Sequence, residues 1–255
     1  MRKNFKLFLA VLILVFSVVF YSGCISSEDE IDPAIQKIKD AGKLVVGTST
    51  PYEPMEYIDE QGTVVGFDID LAKEIANSLD VEVEIIDMDF DLLIDSVVSE
   101  DIDIAIAAIT INLERSEQVL FSNPYLNAGQ VVVVNESNID INSPEDLNGS
   151  RVGVQIGTTS QQEAEKYTNL SLVITFSDYS TALNYLLNGS INAIVIDYPA
   201  TVGLVKNNEE IKIVGTPFTD ELYGVAIKKG ETALKNEIDK IINSDSISSL
   251  EEKWF

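Results

Sequence analysis

Histidine is absent from all 255 residues, which excludes Ser-His-Asp and Cys-His nucleophilic catalysis and the usual imidazole metal centres. Cysteine is nearly absent too: the single Cys24 permits no intrachain disulfide and no thiolate cluster. Cations are scarce, with 17 Lys plus Arg against 42 Asp plus Glu, for a formal net charge of -25. A surface that acidic repels nucleic acid and anionic headgroups and favours solubility. No tandem repeat is visible, and no metal or cofactor is expected. What is present is a globular composition, 45% hydrophobic and 23% charged, in a chain long enough for one large or two ordinary domains.

Residues 1–23 have the layout of an export signal: basic at the start, apolar over 7–20, then Ser22-Gly23 before Cys24. The tetrapeptide YSGC resembles a lipoprotein processing site, which would make Cys24 the lipidated first residue of the mature chain. An uncleaved anchor helix over 7–21 is the alternative. Both readings give an exported protein tethered at the outer face of the cell membrane. Residues 24–32, with four acids and two serines, read as a solvated linker.

Pattern and punctuation then predict a regular succession of elements. A helix over 33–41 ends at Gly42, and a strand follows over 43–47. Asp68 is expected to cap a helix that runs to about Leu79. A strand over 81–86, a helix over 90–99 and a buried strand over 102–107 complete a β-α-β-α-β set. A second set begins at Gln130: strands over 130–134, 151–155, 172–175, 193–196 and 211–214, with helices near 161–167, 178–187 and 199–207. The tail, with a strand over 223–227 and two helices, has no partner nearby in sequence and is expected to return to the first set. The prediction is an α/β protein of two lobes, each a mostly parallel sheet flanked by helices. One lobe comprises 33–124 plus 222–255 and the other 130–216, joined by crossings at 125–129 and 217–221.

Ligands of open α/β sheets bind beyond the carboxyl ends of the strands. Thr110 directly follows one buried strand, and Arg115 lies five residues further on. A hydroxyl and a guanidinium placed there suit a carboxylate, although a loop threonine and a solvated arginine would give the same pattern. Gly157 to Ser160 opens a helix, where free N–H groups attract anions and a hydroxyl makes an N-cap. Asp197 follows the buried run 193–196, where a charge is costly unless paired.

Several stretches carry a resemblance: GTSTPYEPMEYIDEQGTVVGFDIDLAKEIA, DFDLLI, DIDIAIAAITINLERSEQVLFSNPY, LNGSRVGVQIGTTS, NGSINAIVIDYP, YGVAI and EEKWF. In this order the chain resembles the extracytoplasmic solute-binding proteins that deliver polar amino acids to ABC importers. The resemblance implies a two-lobed periplasmic-binding-protein fold of type II, no catalysis, a free amino acid as ligand, and an importer permease as partner. It implies that Arg115, with Thr110 and the backbone of Ala108, binds the ligand α-carboxylate. Thr159 would add a hydroxyl and an amide from the second lobe, and Asp197 would receive the α-ammonium. Tyr52 and Phe90 would wall the side chain, while Ser49 and Gln155 would read its distal end. Ser49 is neutral where relatives that take cationic ligands tend to carry an acid, so a neutral polar ligand such as glutamine is preferred, with Glu53 and Glu56 as substitute acids for a cation. A monomer is expected. The competing classes are a cyclohexadienyl or arogenate dehydratase-like enzyme, for which Glu53 and Asp197 are the candidate acids, and a sensor protein that presents its ligand to a receptor.

Overall fold

The computed structural model describes residues 32–255 with the exception of Asn207. The expected export signal, Cys24 and almost all of the linker lie outside the described residues. Helix α1 (Pro33–Ala41) begins with proline in its first turn, where the missing N–H costs nothing, and the Asp32 carboxylate accepts from Ala34 N–H at 3.0 Å. Gly42 closes it in the left-handed conformation that glycine takes without strain.

The first sheet has the order β4-β1-β5-β14-β6, formed by β1 (Lys43–Thr48), β4 (Glu82–Asp87), β5 (Ile104–Ala105), β6 (Val119–Phe121) and β14 (Ala226–Lys228). Strands β4, β1 and β5 run parallel, and β14 pairs antiparallel with both β5 and β6. The tail of the chain thus returns to the first lobe, as its lack of a nearby partner predicted. The expected single strand over 223–227 is two: β13 (Glu221–Tyr223) belongs to the crossing and β14 to the sheet. Between them, a Cβ on Gly224 would press into the Ile111 side chain at 2.7 Å. A hairpin of β2 (Tyr57–Ile58) and β3 (Val64–Val65) leads into α2 (Phe67–Ser78), and α3 (Leu93–Ser99) links β4 to β5. The short α4 (Leu113–Ser116) connects β5 to β6, and α8 (Thr232–Ile242) and α9 (Asp245–Trp254) pack with α2.

The second sheet repeats the plan in the order β10-β9-β11-β8-β12, with β8 (Gln130–Asn135), β9 (Val152–Gln155), β10 (Val173–Phe176), β11 (Ala193–Asp197) and β12 (Ile211–Val214). Helices α5 (Thr159–Tyr167), α6 (Tyr179–Leu187) and α7 (Tyr198–Lys206) complete this lobe. Strand β8 reads as unbroken valine because both its faces are covered: Val131 and Val133 enter one cluster, and Val132 and Val134 the other. The two crossings pair with each other, β7 (Leu126–Ala128) against β13, so the lobes are linked by a two-stranded ribbon.

Candidate functional site

The carboxyl ends of six parallel strands face one another across the space between the sheets, and the polar residues cluster there. Ser49 and Tyr52 follow β1, Phe90 follows β4, and Ala108 and Thr110 follow β5. From the other lobe come Gln155 at the end of β9, Thr159 at the start of α5, Tyr179 after β10 and Asp197 at the end of β11. All nine positions singled out in the sequence (Ser49, Tyr52, Phe90, Ala108, Thr110, Arg115, Gln155, Thr159 and Asp197) line a single cavity. Its volume is about 20 Å³, room for about one water molecule, and across it Tyr52, Thr110 and Arg115 of one lobe reach Asp197, Thr159 and Gly157 of the other.

Arg115 is 8% exposed and bridges the lobes. Its Nη1 donates to Thr110 O at 2.8 Å in its own lobe, and its Nη2 to Gly157 O at 3.0 Å in the other. A guanidinium has five N–H donors, so two such bonds fix its plane and leave three. Phe90 lies under it, 5.3 Å from ring centre to Cζ. Burial lowers its pKa, opposed by the charges of Asp197, Glu221 and Glu114.

Asp197 is 6% exposed and carries the opposite charge. Its Oδ2 accepts from Tyr223 Oη at 2.6 Å and from Tyr52 Oη at 3.2 Å, whereas its buried Oδ1 has no donor among the described residues. Burial raises its pKa to about 6 against the pull of those two hydroxyls. A buried carboxylate with one satisfied and one open oxygen is an acceptor for a cationic donor.

Thr158, rather than Thr159, is the N-cap of α5: its Oγ1 accepts from Gln161 N–H at 3.3 Å. The Thr159 hydroxyl donates to Glu221 Oε2 at 3.1 Å and accepts from Gln130 Nε2 at 3.0 Å. Its proton is therefore committed within the protein, and its amide at the first turn of α5 is the donor that remains. Thr110 Oγ1 lies 3.4 Å from Thr159 Oγ1 across the cleft. Ala108 sits at φ 49, and its N–H donates to Asp68 Oδ2 at 2.6 Å, so the expected help of this backbone to a carboxylate has no free donor, and the carbonyl, which suits a cation instead, is the group left to offer.

Asp68 departs from the sequence expectation. Gly66 occupies the N-cap position of α2, and Asp68 lies inside the first turn, fully buried, accepting from Ala108 N–H and, at 3.0 Å, from Tyr125 Oη. A long-range acceptor role outweighs capping because it satisfies a strained backbone N–H that water cannot reach. Sequence reasoning also gave no site role to Tyr179 and Ser160 in the cavity wall, or to Glu221, Gln130 and Tyr223 behind it. The last three belong to the crossing strands or their junction, and although Tyr223 opens the YGVAI stretch, nothing local marks any of them as a site residue. Glu53 stays outside this cavity and borders a separate groove of about 400 Å³, beyond the Tyr52–Tyr179 pair whose rings stand 5.7 Å apart.

The arrangement presents donors to an anion on one side and an open buried carboxylate oxygen to a cation on the other. Among the described residues no cluster of acids, cysteine and histidine is suited to hold a metal ion, and no helix is long and apolar enough to cross a membrane. The glutamine-binding protein GlnH of an ABC transporter from Bacillus subtilis (strain 168) is 32% identical, over 98% of this chain and 97% of that protein. A mutant of ArgBP from T. maritima is 41% identical, covers 87% of this chain and 99% of its own, and superposes with a TM-score of 0.83. An ancestral arginine-binding protein, solved bound to arginine and bound to glutamine, is 43% identical over 84% of this chain and 98% of its own, with TM-scores of 0.80 and 0.79. Like GlnH, which is a binding protein of an ABC transporter and not an enzyme, this chain is a binding protein. A family model matches residues 44–255, and with it the chain belongs to the bacterial extracellular solute-binding proteins, family 3.

Proposed function

We propose that this protein is the amino-acid-binding component of an ABC importer, closing its two lobes on a free amino acid outside the cytoplasm. The observation that carries this reading is the pairing of buried opposite charges across the cavity. Arg115 has three donors in reserve and Asp197 has an open Oδ1. The α-carboxylate then lies against Arg115, the Thr110 hydroxyl and the Thr159 amide. The α-ammonium lies against Asp197 Oδ1 and the Ala108 carbonyl. Because the first set comes mainly from one lobe and Asp197 from the other, the zwitterion is held fully only when both lobes meet. Shifting an open-to-closed ratio from 99:1 to 1:99 takes roughly 5.5 kcal/mol of differential binding, a scale that two desolvated charge pairs can supply. The lobes at 33–124 with 222–255 and at 130–216 are the moving bodies in this reading, with 125–129 and 217–221 as the hinge.

The side chain of the ligand meets Ser49, Tyr52, Phe90 and Gln155. The neutral Ser49 supports a polar uncharged ligand such as glutamine. A second reading, a cationic side chain, is favoured by one further observation: Glu56 borders the same cavity and is 1% exposed. Export by the 1–23 segment, a lipid anchor at Cys24, a permease that accepts the closed form, and a monomeric state complete the proposal. Isothermal titration calorimetry with the twenty amino acids tests it. The native chain is expected to bind at least one of them, and Arg115→Ala is expected to lose that binding while keeping its circular dichroism spectrum and cooperative melting. Tight binding by a folded Arg115→Ala chain would exclude the carboxylate role.

A further inference from the structure

Two carboxyl side chains are packed together under the ligand cavity, where neither has access to water. The turn that brings them together is built by the backbone of α2: Phe67 N–H donates to Pro54 O and Asp68 N–H to Met55 O, both at 2.9 Å. This clamps the chain at Glu56 against the first turn of the helix, and Gly66, at φ 142, leaves the space for it. Glu56 is 1% exposed and Asp68 fully buried. Asp68 Oδ2 already accepts from Ala108 N–H and Tyr125 Oη. Glu56 Oε2 and Asp68 Oδ1 are both buried with no donor among the described residues. The two side chains are nevertheless within hydrogen-bonding reach of each other.

Two carboxylates cannot hydrogen-bond without a proton between them, and two like charges so close cannot both persist in a buried setting. Asp68, with two donors on its Oδ2, is the better anion, so the proton resides on Glu56. We infer that Glu56 and Asp68 share one proton beneath the ligand cavity, that a cationic amino-acid side chain expels it on entering, and that a neutral amide leaves it in place. The inference rests on the reading of the cavity as an amino-acid site. With the proton retained, the free oxygen of Glu56 accepts from an amide NH2. With a guanidinium or ammonium opposite it, the Glu56 O–H bond breaks, the electron pair stays on the carboxylate, and the proton leaves to solvent. One cation has then replaced another, and the buried charge is unchanged. The same pocket can in this way serve either ligand class.

The surrounding charges fit this division. Burial raises Glu56 well above the ordinary carboxylate range, helped by Asp68 and by Asp87 at the end of β4. Burial also raises Asp68 to about 7, against the pull of the Ala108 N–H and the Tyr125 hydroxyl and of its neighbour Glu56. From the crossing, Tyr125 faces both acids, and Tyr52 faces Glu56 from its own loop. Among the described residues, no lysine or arginine is a main influence on either carboxyl.

The test is calorimetry of the full chain with arginine and with glutamine from about pH 5 to about pH 8, each in two buffers of different ionisation enthalpy. Asp197 titrates for both ligands, so the difference between them isolates the Glu56–Asp68 pair. Above about pH 7, where Asp68 is the anion and Glu56 keeps the proton, arginine is expected to release about one proton more than glutamine, and the arginine-to-glutamine affinity ratio to rise about tenfold per pH unit until Glu56 itself ionises. In Glu56→Gln the additional proton and the pH dependence of the ratio are expected to vanish. Equal release by the two ligands with a flat ratio overturns the inference while leaving the amino-acid site intact, as does glutamine binding with no arginine binding at any pH. A folded Glu56→Gln chain that keeps the additional release overturns it too. If that variant does not fold, the native chain's two-ligand comparison decides alone. Binding of neither amino acid defeats the inference and counts against the proposed function itself.

Discussion

Asp197 holds its charge in a place where charge is expensive, and two tyrosines share the task of keeping it there. Its pKa near 6 sets a limit on binding: a protonated Asp197 offers no counter-charge to an α-ammonium. The sign follows from that. The free protein takes up a proton below about pH 6 that the complex cannot keep, so affinity for any amino acid is expected to fall as pH drops through that value and to level off above it. Asp197→Asn keeps the shape and the two tyrosine partners but removes the charge, and affinity at pH 8 is expected to drop about 100-fold, or roughly 3 kcal/mol. Titrations of both chains at pH 5 and pH 8 check this, and undiminished affinity in the variant would refute the ammonium role. The sequence disclosed Asp197, Arg115 and Thr110 because each follows a buried run at a strand end. It concealed Tyr223 and Glu221, whose partners lie 26 and 62 residues away in sequence. Thr159 shows the limit of reading a hydroxyl from its type: its proton is bound to Glu221, a partner that no local pattern names.

At the scale of elements, α2 depends on one glycine. Gly66 stands at φ 142, and a Cβ there would overlap the Met55 carbonyl that receives the Asp68 N–H. Gly66→Ala is expected to destabilise the fold by about 3 kcal/mol or more through strain and the displaced turn, measured by denaturant unfolding. A loss below about 1 kcal/mol would show that the turn relaxes without cost. Element existence was well marked in the sequence, since both sheets rest on apolar runs bounded by glycine and polar caps. The edges were less so. Asp68 looked like an N-cap because an acid at a helix start usually is one. A partner 40 residues away claimed its carboxylate instead. The two strands of the linking ribbon escaped notice because three-residue strands that pair only with each other leave no periodic trace.

The whole molecule carries an excess of acid that its fold does not neutralise, at a formal net charge of -25. Several of these acids are held above their ordinary pKa, among them Glu56, Asp68 at about 7 and Asp197 at about 6, the last two against an ordinary 3.8. Between about pH 4 and those values the folded chain binds more protons than the unfolded one, so stability falls as pH rises through this window. The shift of Asp68 alone corresponds to roughly 4 kcal/mol, and self-repulsion acts in the same direction. Melting of the ligand-free chain at fixed salt is therefore expected at a higher temperature near pH 5 than near pH 8. The reverse order would show that these acids ionise without cost. The alternation of elements announced two lobes in the sequence, whereas the closeness of their approach arises from contacts such as Arg115 to Gly157 that no single lobe encodes. The ribbon of β7 and β13 has one more meaning. Where the chain enters the second sheet at Gln130 and, past the end of β12, turns back at Phe218, the two points are hydrogen-bonded to each other, Phe218 N–H to Gln130 O at 2.9 Å. The second lobe is thus a closed loop of chain spliced into the first. Its entry and exit lie side by side, so a graft or an excision at that seam leaves no gap for either lobe to span.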